Sequence, residues 1–215
     1  MMRFACYALL LLIFTTSCSS KFITINQLKD CDLLFHVPTT DNAITDVTTG
    51  IDNSRIDHVA IFFKDNSNGN KHNKNVIEAI EKGVVITSID DFLSREGDVL
   101  VGRIKTLLDR KQSIENARQH LNKPYDYLYL ENNDSIYCSE LVLFSFVNHN
   151  GEKIFHPIPM TFRDANGNIP EYWTQLYKDH NMEVPEGKNG SNPAELSRRK
   201  EIKIKYLKQQ LKQTP

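Results

Sequence analysis

The sequence lacks the features that define several specialised classes of protein. Four cysteines in 215 residues are too few for a disulfide scaffold, and nine glycines and eight prolines exclude a collagen-like or low-complexity chain. The net charge is only −1, with 26 basic and 27 acidic residues, so no overall field attracts nucleic acid. A Gly-rich phosphate loop, a CxxC pair and an HExxH motif are all absent. The sequence therefore predicts no metal site, no cofactor and no nucleic-acid partner.

The N-terminus has the pattern of a secretory signal. Arg3 precedes an unbroken apolar run from Phe4 to Phe14, which is too short to span a bilayer comfortably, and small residues lead up to Cys18. Small residues directly before a cysteine resemble the bacterial lipobox, whose cysteine becomes the lipidated first residue. We expect a signal peptide over 1–17, lipidation of Cys18, and an exported protein anchored to the membrane in the cell envelope, on the outer membrane or periplasmic face. A plain signal peptide with an incidental Cys18 is the alternative.

The rest of the chain indicates an α+β fold. Short apolar or β-branched segments predict strands, and later segments with helical spacing predict helices. Because the strands come before most of the helices, we expect an antiparallel sheet packed against helices. The strands are expected at 32–37, 58–63, 76–80, 84–87 and 99–104, and the helices at 109–121, 138–147 and 171–178. We expect a tether over 18–30, one domain over 31–182, and a polar C-terminal extension over 183–215.

Cys138 is the first candidate for chemistry. It directly precedes an apolar helical segment, CSELVLFSFV, and is therefore expected at or near the first turn of that helix. The free N–H groups and positive dipole end found there favour a thiolate over a thiol. Two other interpretations remain open, a buried core cysteine and a disulfide with Cys31.

His58 and Glu78 are candidates for the groups that would assist a thiolate. His58 begins the most apolar strand, and Glu78 interrupts a short apolar one, where an acid is costly unless it has a partner. If the two strands form a hairpin, a regular register places residue 80 opposite His58, and Glu78 on the same face. A slip of one residue would reverse the face of Glu78 and turn it toward solvent.

Five short strings, taken together, resemble one enzyme family. They are DLLF at 32–35, DHVAI at 57–61, VIEA at 76–79, KPYD at 123–126 and YCSELV at 137–142. They are similar to the strands and the cysteine segment of NlpC-type cysteine peptidases, although Cys31 replaces the usual glycine. The histidine comes before the cysteine, as in the circularly permuted YiiX/YebB-like group, which is related to lecithin–retinol acyltransferase and to an orthopoxvirus family.

This resemblance implies a permuted papain-like fold in which the nucleophile opens a helix. It implies a catalytic domain in which Cys138 is the nucleophile, His58 the base and Glu78 the residue that orients the base; Tyr137 would line the substrate site, and Cys31 would be structural. The function implied is a thiol-dependent hydrolase of an amide, in a peptidoglycan stem peptide or a related small amide. Two alternatives are a lipid acyl hydrolase or acyltransferase working through a Cys138 thioester, and an inactive ligand-binding module.

Overall fold

The computed structural model describes residues 20–65, 73–131 and 133–208. Cys18 and the signal segment lie outside this part of the chain. The strands within it are β1 Phe22–Ile23, β2 Leu33–Val37, β3 His58–Asp65, β4 Asn73–Ile80, β5 Gly83–Ser88, β6 Asp98–Ile104, β7 Ile158–Pro159, β8 Asn189–Gly190 and β9 Ile202–Leu207. The α-helices are α1 Ala43–Val47, α2 Ile89–Leu93, α3 Arg110–Gln119, α4 Cys138–Ser145, α5 Glu171–Asp179 and α6 Pro193–Ser197, and short 3-10 turns span Ile25–Gln27 and Ile51–Asn53.

A seven-stranded sheet forms the centre of the molecule, in the order β1-β9-β6-β2-β3-β4-β5. Its neighbouring strands are antiparallel except for β1 and β9, which are parallel. Strands β7 and β8 form a separate small ribbon. The mixed α+β architecture predicted from the sequence is therefore confirmed.

Both faces of the central strands are covered, which explains why β2 and β3 are apolar at nearly every position. One face packs in a large core with α4, whose buried Leu141 and Val142 lie against the sheet. The core on the other face of the sheet is smaller. The turn near Leu28 and Ile89 and Phe92 of α2 cover the sheet there. No helix in the described part of the chain is long and apolar enough to cross a membrane.

The domain extends beyond the range 31–182 expected from the sequence. The segment 18–30, expected to be a tether, contributes β1 and the buried side chains of Ile23 and Leu28. In the expected polar extension 183–215, α6 places Ala194 and Leu196 in the core, and β9 lies between β1 and β6. The alternation of isoleucine and lysine at the start of IKIKYL is typical of a strand and indicates β9. The many lysines of this region hid that pattern.

A buried ion pair holds the start of β2 against β6. The Asp32 carboxylate is fully buried and accepts hydrogen bonds from Arg103 Nε at 2.9 Å and Arg103 Nη2 at 2.6 Å. It also accepts the backbone N–H of Lys29 at 2.8 Å. The pair therefore satisfies a charge that would otherwise be expensive to bury.

Replacing Arg103 by alanine is expected to lower the free energy of unfolding by about 3–5 kcal/mol, because it leaves the Asp32 carboxylate buried without its cation. The matched control is Arg55→Ala, since Arg55 pairs with Asp41 on the surface. An exposed pair of this kind contributes about 1 kcal/mol or less. Urea denaturation of the two variants measures the difference, and equal losses would contradict the prediction.

Candidate active site

Cys138 is the first residue of α4, as predicted. The preceding residue, Tyr137, is extended, with φ −98° and ψ 167°, and its side chain does not cap the helix. The first-turn N–H groups and the positive end of the helix dipole therefore lie beside the Cys138 thiol. The residue is buried, with an exposed fraction of 4%.

His58 lies at the start of β3 and bridges the other two candidate residues. Its Nε2 is 2.7 Å from Oε2 of Glu78. The Cys138 thiol is the other group that acts on this imidazole, since its interaction and its charge both raise the pKa of His58. Because Nε2 is occupied by Glu78, Nδ1 is the ring nitrogen left to exchange a proton with the sulfur.

The hairpin register predicted from the sequence is the one observed. Ile61 pairs with Ile77, and Phe62 pairs with Val76. Continued by three residues, this register places Ile80 opposite His58 and Glu78 on the same face. The alternative with a solvent-facing Glu78 is wrong, since the Glu78 side chain is fully buried.

Every oxygen of the buried Glu78 carboxylate has a strong donor. Oε1 accepts from Thr87 Oγ1 at 2.5 Å and from Arg95 Nη2 at 2.6 Å. Oε2 accepts from Arg95 Nη1 at 2.8 Å as well as from His58. Arg95 is thus bidentate, which is the strongest geometry available between these groups.

The charges of the network follow from these bonds. Burial alone would raise the pKa of Glu78, but the hydrogen bonds from His58, Arg95 and Thr87 outweigh it and lower the pKa to about 2. Burial alone would lower the pKa of His58, but the hydrogen bonds to Cys138 and Glu78 raise it to about 9. At neutral pH the site therefore holds an imidazolium between a carboxylate and a sulfur, the environment in which proteins activate cysteine.

The sequence analysis did not identify Arg95 or Thr87. Arg95 follows α2 by two residues, and Thr87 is one of two hydroxyl residues at the end of β5. A buried acid on β4 does require a partner. That requirement was the available signal, but no local pattern says which basic residue in the chain meets it.

Two tyrosines near Cys138 were also missed, although one lies in the KPYD string. Tyr125 and Tyr129 line the same cleft as the thiol. Burial, and the charge of the neighbouring Cys138, raise the pKa of Tyr125 well above its usual range. Tyr125 therefore stays a neutral phenol with a proton to donate.

The cleft beside Cys138 is narrow and mostly apolar. Its empty space, including the open mouth, is about 450 Å³. The part of that space in which the centre of a water molecule fits is only about 30 Å³. Met160, Phe162 and Trp173 form one wall, and they belong to a separate apolar cluster that also contains Val47 of α1. Tyr137, predicted to line the substrate site, is part of this cleft and accepts a hydrogen bond from the Ser191 N–H at 3.1 Å.

Asp57 connects the start of β3 to the α1 wall of the cleft. Its Oδ1 is 2.8 Å from Nδ1 of His36, and its Oδ2 accepts from Nδ2 of Asn42 at 2.8 Å. Asn42 in turn caps the N-terminus of α1. Burial would raise the pKa of Asp57, but the hydrogen bonds with His36 and Asn42 and the charges of His36 and His58 together outweigh it and hold the pKa below its usual range.

Cys31 and Cys138 are both free thiols, so the disulfide considered from the sequence is absent between them. Cys31 has a φ of 63°, in the left-handed region that favours glycine, which explains why the resemblance has glycine at this position. Its side chain is fully buried, and Sγ lies 3.4 Å from the carbonyl oxygen of Arg110. Burial raises the pKa of Cys31 to about 12, so its thiol stays protonated.

The fold and this site define a papain-like architecture with a permuted chain order, since the histidine strand comes before the cysteine helix. The chain belongs to the family of permuted papain-like amidases YaeF/YiiX, C92, whose model matches residues 27–204. Its class is thus that of papain-like amide hydrolases. No curated protein matches the sequence significantly.

A solved structure supports the fold. The chain is similar to the crystal structure of metalloprotein yiiX from Escherichia coli O157:H7, with 18% identity and a TM-score of 0.65. The match covers 83% of this chain and 96% of the other. Within residues 20–65, 73–131 and 133–208 of this chain, no group of three or more His, Cys, Asp or Glu side chains is placed to hold a metal ion.

Replacing Glu78 by glutamine is expected to lower the pKa of His58 by about 1–2 units, because the imidazolium loses an anionic partner. In the native protein the raised pKa of His58 stabilises the fold fully below about pH 6.5, and this contribution is lost as the pH rises toward about 9. The loss of folding stability over this pH range should be smaller in Glu78→Gln. NMR titration of the His58 ring and unfolding at several pH values measure both effects. Glu81→Gln, at an exposed position, should change neither.

Proposed function

We propose that the protein hydrolyses an amide bond through an acyl-enzyme on Cys138, with His58 as base and Glu78 as the residue that orients it. The observation that carries the proposal is the single imidazole between the sulfur and a buried carboxylate 2.7 Å from its Nε2. A nucleophile, its base and an oriented third group are the parts that covalent hydrolysis requires.

The reaction follows from where the proton lies. The Cys138 sulfur, having given its proton to His58 Nδ1, attacks the carbonyl carbon and forms a C–S bond. His58 then returns that proton to the nitrogen as the C–N bond breaks, so the amine leaves neutral. Water, deprotonated by His58, attacks the thioester; the acid leaves and the sulfur is regenerated with the proton on the imidazole. Glu78 holds the ring throughout.

The tetrahedral oxyanion needs donors that already point at it. The backbone N–H of Cys138, at the uncapped start of α4, supplies one. The neutral phenol of Tyr125 in the same cleft supplies a second. Cys138 is buried and Tyr125 is partly buried, so water only weakly screens their interaction with the developing charge.

For the substrate we propose a cell-wall peptide or a related small amide. This follows from the proposed export of the protein to the cell envelope, where such amides are abundant. The narrow cleft favours a slender, extended acyl group over a folded polypeptide.

A second candidate is an acyl transfer from a lipid, favoured by the apolar wall of Met160, Phe162 and Trp173 beside the thiol. A fatty acyl chain would lie against this wall, and the same thioester chemistry would apply. Intact-protein mass spectrometry after incubation with muropeptides and with phospholipids separates the two, because the adduct mass identifies the acyl group. An inactive binding module would show neither adduct.

Replacing Cys138 by alanine, or His58 by alanine, is expected to reduce turnover of muropeptides or lipids at least about a thousandfold while leaving the fold intact. Cys31→Ala is the matched control, because it removes the other thiol of the described domain without touching the imidazole. Iodoacetamide should label the native protein and Cys31→Ala, but not Cys138→Ala. Full activity in Cys138→Ala would overturn the mechanism.

We also propose that Cys18 carries the lipid anchor that holds the protein in the cell envelope. Cys18→Ala, expressed in bacteria, is expected to yield a protein without an acylated N-terminus, because the thiol that would carry the lipid is gone. Mass spectrometry of the N-terminal peptide checks the modification. An unmodified N-terminus at another residue would refute it, without bearing on the catalytic proposal.

A further inference from the structure

A second cavity lies beyond Tyr137, and it is the roomier of the two. The space in which the centre of a water molecule fits is about 210 Å³ in this cavity and about 30 Å³ in the cleft at Cys138. Tyr137 contributes to the walls of both, so its side chain stands between them. A small ligand therefore fits here with less rearrangement than in the cleft.

Glu140 is the unusual wall residue of this cavity. It lies in the first turn of α4, two residues after Cys138, and its exposed fraction is only 5%. The backbone N–H of Tyr137, the residue before α4, favours the ionised form of its carboxyl group. Its Oε2 atom is buried and has no hydrogen-bond partner in the described part of the chain. A buried carboxyl oxygen without a donor is costly.

The charges around Glu140 favour a positive ligand. Asp126 and Glu131 add negative potential at its carboxyl group, and Lys123 opposes them more weakly. Lys153 also lines the cavity, but its Nζ lies 5.0 Å from the centre of the Phe144 ring. Burial first, and then Asp126, raise the pKa of Glu140 to about 8, so a nearby cation would favour the ionised carboxylate.

We propose that this cavity binds a primary amine, with its ammonium group at Oε2 of Glu140 and its carbon chain along the apolar wall. The ammonium donates the hydrogen bond that Oε2 lacks, and its charge offsets the repulsion from Asp126 and Glu131. The apolar wall is formed by Leu143, Phe144, Phe155 and Pro157. Binding at this site does not depend on the proposed hydrolysis.

The test is an NMR titration of the native protein with n-butylamine, with n-butanol as the neutral probe of the same shape. The amine is expected to bind with a Kd of about 1–10 mM, a range that suits so small a ligand, and the alcohol at least about tenfold more weakly. Glu140→Gln should weaken amine binding at least about tenfold, because the uncharged amide cannot pair with the ammonium. Glu115→Gln, at an exposed position on α3, is the matched control and should bind as the native protein does.

The pH dependence gives a second measurement that needs no variant. Since only the ionised carboxylate binds the ammonium well, the affinity of the native protein should rise about tenfold between pH 7 and pH 9. The charged and titratable groups around Glu140 are Asp126, Glu131, Lys123, Lys153 and Tyr137. Absence of amine binding up to about 100 mM, equal binding of n-butanol, or a constant affinity between pH 7 and 9 would each overturn the proposal. Unchanged affinity in Glu140→Gln would place the amine elsewhere and overturn it as well.

Discussion

The site depends above all on one fully buried carboxylate, that of Glu78. An acid in the interior of a sheet is unfavourable unless opposite charge and hydrogen bonds replace water. Arg95 supplies the charge in a bidentate pair, Thr87 adds a hydroxyl, and His58 completes the shell. The same four groups tie β3, β4, β5 and the segment after α2 together. The contacts that satisfy the buried acid therefore also hold the imidazole of His58 in place.

The first turn of α4 combines two opposite uses of a helix N-terminus. On one side of Tyr137, the uncapped N–H groups and the imidazolium of His58 surround the Cys138 sulfur with positive potential. On the other side, burial and the neighbouring carboxylates raise the pKa of Glu140 to about 8. One aromatic side chain separates an anion-stabilising cleft from a cavity suited to a cation. The proposed hydrolysis and the proposed amine site thus arise from the same short segment.

Much of this arrangement could be predicted from local pattern. The apolar run after Cys138 indicated a helix that starts at the thiol, and the spacing of His58 and Glu78 indicated a shared sheet face, which the register confirmed. Arg95 could not be predicted in the same way. It reaches Glu78 across the fold from a position whose sequence resembles any exposed helix end. The strand β9 was missed for a different reason, because its lysines suggested a solvated terminus.

The sequence by itself determined the order of most strands and helices between residues 32 and 178, the residue types that can carry thiol chemistry, and the permuted order of histidine before cysteine. These are properties of short segments, set by periodicity and by the cost of polar groups among apolar ones. Only the tertiary structure decided which partners the buried charges have, that Tyr125 lies beside the thiol, and that Glu140 borders a cavity. Those facts depend on contacts between residues far apart in the chain, and the packing of the whole domain selects them.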